Sequence, residues 1–188
     1  LQLRYSLIDR AAERELLPMA REFDLAVTPW SVIAAGVLSG KYNSDHPPDV
    51  GRAKAGAATV DRNLAIADVV IAVSKEIGCS PAQVAISWTQ QQPGVVIPLL
   101  GARNEKQLKD NLGAADVTLS AEQMARLDEA SRPDLGFPHS FLGLEGEAAQ
   151  YVYGNTGERL DPHRGELTKQ GGRSRNIRGR VRPRSRRP

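Results

Sequence analysis

Along this 188-residue chain the spacing of apolar positions switches repeatedly between two and three-to-four residues, which predicts strands alternating with helices. Leu1-Gln-Leu-Arg-Tyr-Ser6 alternates apolar and polar positions and reads as a strand. From Glu13 to Phe23, Leu16, Leu17, Ala20 and Phe23 share one helical face, with acids in the first turn and Pro18 as an early kink or start. Leu25-Ala-Val-Thr-Pro-Trp30 reads as a second short strand, followed by the small-residue loop Ala34-Ala-Gly-Val-Leu-Ser-Gly40. Residues 43–59 carry prolines and glycines without periodicity, the mark of a lid or a surface loop.

Arg62 to Ile77 places Ile66, Val70, Val73 and Ile77 at helical spacing and stops at Gly78. Ser80-Pro-Ala-Gln83 is a capping box with Pro at the first helical position, predicting a helix to about Gln91. Val95 to Leu100 is short, β-branched and turn-bounded, so it reads as a buried strand. A polar helix follows through Asn111, and Ser120-Ala-Glu-Gln123 opens another to about Ala130. Such alternation implies parallel strands joined by helical crossovers, an α/β fold. After Ser131 the pattern fades, and the Arg/Gly/Pro/Ser composition of residues 165–188 predicts a disordered tail.

At 40% apolar content the chain can bury a core, and one domain is the expected count. The net charge of +3 at first suggests a nucleic-acid or membrane binder. Ten Lys/Arg against one acid lie between Arg164 and Pro188, which puts +9 on the tail and leaves −6 (3 minus 9) on residues 1–163. The basic average is therefore local to the tail. A single cysteine, Cys79, excludes an internal disulfide, fits a reducing, cytoplasmic setting and is expected to be inert. No apolar run approaches the roughly 20 residues of a membrane span. His46, His139 and His163 stand in loop or tail positions without metal-ligand spacing.

Two segments carry candidate chemistry. Gly101-Ala-Arg-Asn-Glu-Lys-Gln-Leu-Lys-Asp-Asn111 follows a strand and opens a helix, where free N–H groups, the dipole and the fork of Arg103 favour a phosphate. Gln107 and Asn111, four and eight residues after Arg103, would stack on its face within reach of a base or ribose. Taken alone, an exposed Arg at a solvated helix start is the better explanation of this segment, so the phosphate reading needs support from elsewhere in the chain. Trp30-Ser31 stands at a strand's carboxyl end, where α/β folds place ligands, and an indole there can stack on a flat heterocycle or simply pack at the rim. The loop after it is not a phosphate-binding P-loop: three residues separate Gly36 from Gly40, and Tyr42 replaces the Ser/Thr that would meet magnesium. Its backbone can still cradle a pyrophosphate.

In order, Gln2-Leu-Arg-Tyr-Ser-Leu-Ile-Asp-Arg10, Glu15-Leu-Leu-Pro18, Trp30-Ser31 through Gly36-Val-Leu-Ser-Gly-Lys-Tyr42, Ser80-Pro-Ala-Gln-Val-Ala85 and the Gly101 to Asn111 motif resemble landmarks of the C-terminal half of the aldo-keto reductase family. The resemblance runs over residues 1–164, with Tyr151-Val-Tyr-Gly154 and Asp161-Pro-His-Arg164 included. It implies part of a (β/α)8 barrel, about strands six to eight, that binds NADPH and reduces aldehydes and ketones without metal. By resemblance Gln2 would hydrogen-bond the nicotinamide carboxamide and Trp30 stack on its ring. Ser31, Val32, Ile33, Ala34, Gly36, Leu38 and Lys41 would hold the pyrophosphate. Gly101, Arg103, Gln107, Asp110 and Asn111 would take the adenosine end, with Arg103 on the 2′-phosphate.

There are departures from the family pattern: Val32 stands where Pro is frequent, Ala35 where Gly is common, and the loop after Tyr42 lacks the usual aromatic and basic residues. The family's catalytic Asp, Tyr, Lys and His belong to the first half of the barrel, and Tyr5 is not the proton-donating Tyr. The expectation is thus a cofactor-binding, catalytically inactive C-terminal part of a carbonyl reductase, prone to self-association through exposed strand edges. The competing readings are a non-catalytic nicotinamide-nucleotide-binding or regulatory subunit, and an acidic-partner or nucleic-acid binder acting through the tail.

Overall fold

The computed structural model describes residues 1–43, 61–142, 149–154 and 156. The 44–59 loop, His46, His163, the Asp161 to Arg164 motif and the 165–188 tail lie outside the described residues. The chain forms two compact units, Leu1–Leu135 and Gly136–Pro188.

In the first unit, β1 (Gln2–Arg4) and β2 (Thr28–Trp30) pair in parallel, with Gln2 opposite Thr28 and Arg4 opposite Trp30. The Val95 to Leu100 segment runs along the other side of β2: Val27 N–H donates to Val95 O, Ile97 N–H to Val27 O and Leu99 N–H to Pro29 O, each at 2.8 Å, with Val96 bridging Val27. The parallel reading holds for these three segments. The expectation that Val95 to Leu100 is buried does not, since Val95, Ile97 and Leu99 are 62%, 53% and 43% exposed. Among the described residues, helices cover one face of this sheet. Leu3 and Pro29 point into the helices, while Gln2, Arg4 and Trp30 line the open face.

The helix expected over Glu13 to Phe23 divides into a 3₁₀ turn, Ala11–Arg14, and α1, Leu16–Glu22. Pro18 sets the division, because its missing N–H is tolerated only in a first turn, so the α-helix begins just upstream. The first α-helical bond is Met19 N–H to Glu15 O at 2.8 Å. Of the four expected core residues, Leu17 and Ala20 are buried while Leu16 and Phe23 are exposed, since so short a helix turns only one narrow stripe inward.

α2 (Asp61–Ile77) buries Ile66, Val70 and Val73 and ends at Gly78, whose φ of +80° lets Gly78 and Cys79 N–H both cap Ser74 O. α3 (Pro81–Gln90) starts at the expected capping box: Ser80 Oγ accepts Gln83 N–H, and Gln83 Oε1 accepts Ser80 N–H. It is buried on nearly every side, wedged among α2, the turn after β2 and α4 (Glu105–Leu112). α5 (Ala121–Ala130) opens at Ser120 with the same box and seats Leu127 in the core.

The second unit carries α6 (His139–Leu142) and α7 (Ala149–Tyr153), where the fading pattern gave no helix. Phe137 and Phe141 stack with ring centroids 6.0 Å apart, a local aromatic contact that periodicity over so few residues does not reveal.

Candidate functional site

The open face of the sheet brings Gln2 and Trp30 onto one surface from adjacent strands. Trp30 is 45% exposed at the end of β2. The Arg4 guanidinium lies over its indole at 5.8 Å from the ring centroid and is held by Asp9 at 3.0 Å. The chain then turns sharply. Ser31, Ala34, Ala35 and Gly36 have φ of 61°, 48°, 55° and 93°, so three residues with a Cβ occupy the left-handed region in a stretch of six. That conformation costs of order 1 kcal/mol per residue and is found where surrounding structure enforces it, commonly at ligand-binding turns.

The enforcement comes from below. Val32, Ala34, Val37 and Leu38 are buried against the helices, and Ser39 Oγ donates to Gly36 O at 2.7 Å. Of the residues expected to hold a pyrophosphate, Val32, Ala34 and Leu38 thus send their side chains into the core, leaving backbone as what they offer a ligand. A Cβ on Gly36 would lie 2.8 Å from both Cε and Nζ of Lys41, so the glycine keeps the place that the lysine ammonium occupies. Lys41 Nζ also sits 4.8 Å from the Tyr42 ring centroid.

At the other expected contact region, Asn104 is the N-cap of α4, its side chain accepting Gln107 N–H at 2.9 Å. Arg103 therefore precedes the helix and does not share a helical face with Gln107 and Asn111, which corrects the stacking expectation. An Asx cap outcompetes the helix start one residue earlier. Gln107 Oε1 accepts Arg103 N–H at 3.0 Å, Asp110 Oδ2 accepts Ser80 Oγ–H at 3.0 Å, and Asn111, 6% exposed, directs Nδ2 to Gly101 O at 3.4 Å. A Cβ on Gly101 would meet nothing within 4 Å, so the turn does not require glycine there. Cys79, half-buried, has its thiol pKa raised by burial and then by Asp110, which opposes thiolate formation.

Sequence reasoning missed a polar network beneath the sheet. Tyr5 and Trp88 are fully buried with rings 5.4 Å apart, and Arg10 lies 5.1 Å from the Trp88 ring centroid. Glu13 Oε1 accepts from Tyr5 Oη and from Arg10 Nε, both at 2.6 Å, while Arg10 Nη1 reaches Asp128 O, Asp128 Oδ1 and Ser131 Oγ. Burial, then the Glu13 charge, pushes the Tyr5 phenol pKa well up. Burial opposes the Arg10 charge, but the hydrogen bond and charge of Glu13 outweigh it and hold the guanidinium pKa up. The one sequence signal was the Arg10/Glu13 spacing of three. Among the described residues, His, Cys, Asp and Glu side chains form no group able to hold a metal, and no single helix is long and apolar enough to cross a membrane.

Parallel strands whose carboxyl ends carry an exposed indole, with helices on one face, define an α/β protein with its candidate site at the strand ends. The chain belongs to the aldo/keto reductase family, whose model matches residues 1–132 and whose fold is the (β/α)8 barrel. It is 31% identical over 180 residues to an aryl-alcohol dehydrogenase of Pestalotiopsis microspora, covering 89% of this chain and 46% of that one. It is 35% identical over 124 residues to a probable voltage-gated potassium channel subunit beta of Oryza sativa subsp. japonica, covering 62% of this chain and 38% of that one. In fold it is similar to a thermostable aldo-keto reductase solved with the inhibitor epalrestat, at a TM-score of 0.52 and 22% identity over 69% of this chain and 38% of that one. The chain thus spans less than half the length of these relatives.

Proposed function

We propose that residues 1–132 form the NADPH-holding part of a carbonyl reductase, with β1, β2 and the Val95 to Leu100 segment as strands six to eight of a (β/α)8 barrel. The observation that carries this reading is the juxtaposition of Gln2 and exposed Trp30 on one open sheet face, followed by the left-handed Ser31 to Gly36 turn. The geometry fits the cofactor: an indole for the nicotinamide ring, a turn with its apolar side chains turned away, Lys41 beside Gly36 for the pyrophosphate, and exposed Arg103 for a 2′-phosphate. When bound, the cofactor supplies the hydride. The protein's part is to fix the ring against Trp30 and neutralise the phosphates. The substrate class is an aldehyde or ketone, aromatic carbonyls being favoured by the name of the Pestalotiopsis relative.

The 188-residue chain by itself is expected to bind NADPH without turning it over, since the segments that resemble the family are those of its cofactor face, and Tyr5 is buried against Glu13 rather than offered at the open sheet face. A second reading, a non-catalytic nucleotide-binding subunit, is favoured by the likeness to the probable channel subunit. Titrating the chain into NADPH and following nicotinamide fluorescence tests the shared claim. Enhancement that Trp30→Ala and Arg103→Ala each weaken about tenfold supports it, and an unchanged spectrum with wild-type protein refutes it. Oxidation of NADPH by the chain with an aromatic aldehyde would overturn the inactive part. The exposed Val95, Ile97 and Leu99 row is further expected to drive self-association, which sedimentation of a stable monomer would exclude.

A further inference from the structure

Among the adenosine-end side chains Arg103 and Gln107 are exposed, and Gln107, Asp110 and Asn111 each bond within the protein itself. Gln107 spends its amide oxygen on Arg103 N–H, Asn111 reaches Gly101 O, and Asp110 receives the Ser80 hydroxyl. Asp110 is also gripped through its backbone, since Gln83 Nε2 donates to Asp110 O at 2.8 Å. Ser80 and Gln83 are the two members of the α3 capping box, so the box that starts α3 also fixes where α4 lies. The fit is close: a Cβ on Gly113 would come within 2.4 Å of Gln83 Nε2, so that glycine makes room for the strut.

We infer that Asp110 is a positioning residue, and that its strut to Ser80 and Gln83 sets the pose of the Gly101 to Asn104 loop and thereby of Arg103. The inference rests on the NADPH reading and adds a role to one of its residues. The chain of contacts is continuous. The α3 cap holds Asp110, Asp110 fixes α4, and α4 holds both ends of the loop through Gln107 to Arg103 and Asn111 to Gly101. Without the strut the Arg103 fork loses its aim at a 2′-phosphate, while a nucleotide lacking that phosphate loses little.

The test compares NADPH and NADH binding by the whole chain for wild type, Asp110→Ala, Asp110→Asn and Gly113→Ala, with amide hydrogen exchange over residues 101–112. Asp110→Ala is expected to weaken NADPH roughly tenfold, the weight of one hydrogen bond to a charged group, and NADH by less than about threefold. Asp110→Asn keeps an acceptor for Ser80 and should restore most of the affinity. Gly113→Ala, which disturbs the same strut from the Gln83 side, should repeat the Asp110→Ala pattern if that variant does not fold. Exchange at residues 101–108 should rise in both Asp110→Ala and Gly113→Ala with no cofactor present, so the strut is read even if wild type binds neither nucleotide, a result that would sink only the cofactor reading. Equal losses for NADPH and NADH, an Asp110→Asn variant as weak as Asp110→Ala, or unchanged exchange would overturn the inference.

Discussion

Glu13 accepts the Tyr5 hydroxyl at 2.6 Å within the core, joining the residue that follows β1 to the 3₁₀ turn before α1. The same carboxylate takes two bonds from Arg10, at 2.6 and 3.0 Å, whose side chain is 10% exposed. One acid therefore satisfies a buried phenol and a buried cation together. Tyr5 N–H in turn donates to Trp30 O at 3.3 Å, so this network underlies the strand end where the exposed indole stands.

Removing either end of this arrangement should have unequal effects. Tyr5→Phe deletes one neutral donor while Arg10 still holds Glu13, and is expected to cost about 1 kcal/mol. Glu13→Ala removes the acceptor of Tyr5 Oη and of Arg10 Nε and Nη2 at once, leaving Arg10 with Asp128 and Ser131 on Nη1 alone, and should cost more, about 2–3 kcal/mol. Urea unfolding of the two variants checks the order. Equal losses would show that Arg10 finds another partner.

Asp128 should write a pH dependence into stability. Burial raises its carboxyl pKa above the ordinary 3.8, and Arg10 and the Trp88 N–H bond offset this only in part. A raised folded-state pKa means that the folded form holds the proton more tightly. This contribution to stability is thus fully present below about 3.8, and is lost as pH rises through the higher folded value. Wild type should gain stability relative to Asp128→Asn on acidification through the window just above 3.8. A difference in unfolding midpoint that is flat with pH across that window would contradict it.

Gly36→Ala tests the turn after β2. The substitution puts a Cβ at φ +93° and 2.8 Å from the Lys41 side chain, so both backbone strain and displacement of the ammonium follow. A stability loss of about 1–2 kcal/mol is expected, with NADPH weakened beyond what Lys41→Met alone produces. Thermal unfolding and fluorescence titration of the two variants separate the terms.

What could be read in the amino-acid order was what neighbours dictate. The Ser80 and Ser120 capping boxes, the Gly78 stop and the parallel alternation are local chemistry, and each stands in the folded chain. Burial is a long-range property, and there the reading failed. Val95, Ile97 and Leu99 look like core by composition but have no layer above them among the described residues. The neighbours of Arg103 suit a helix, but the cap at Asn104 starts α4 after it. The partners of Asp110 and Asn111, Ser80 and Gly101, are set by tertiary packing and have no signal in the local sequence. The Arg10 network joins residues more than a hundred positions apart, beyond any window of periodicity.

The two capping boxes allow one further comparison, since they share their internal bonds and differ in what they reach beyond the box. Ser80 and Ser120 each accept a Gln N–H at 3.2 Å, and each Gln side chain returns to the Ser N–H. Ser80 alone also donates its hydroxyl hydrogen to a second helix, at Asp110. Ser120→Ala should therefore cost the ordinary cap, about 1 kcal/mol, and Ser80→Ala that amount plus the lost bond to a carboxylate, about 2 kcal/mol or more in all. Ser80→Gly, which retains the backbone freedom of an N-cap but not the hydroxyl, should recover part of the cap and none of the Asp110 link. Urea unfolding of the three variants reads the difference directly. In an Asp110→Asn background the amide oxygen keeps an acceptor but loses the charge, so the excess cost of Ser80→Ala should shrink by about half. Matching losses for Ser80→Ala and Ser120→Ala would mean that the Ser80 to Asp110 bond contributes no stability in solution.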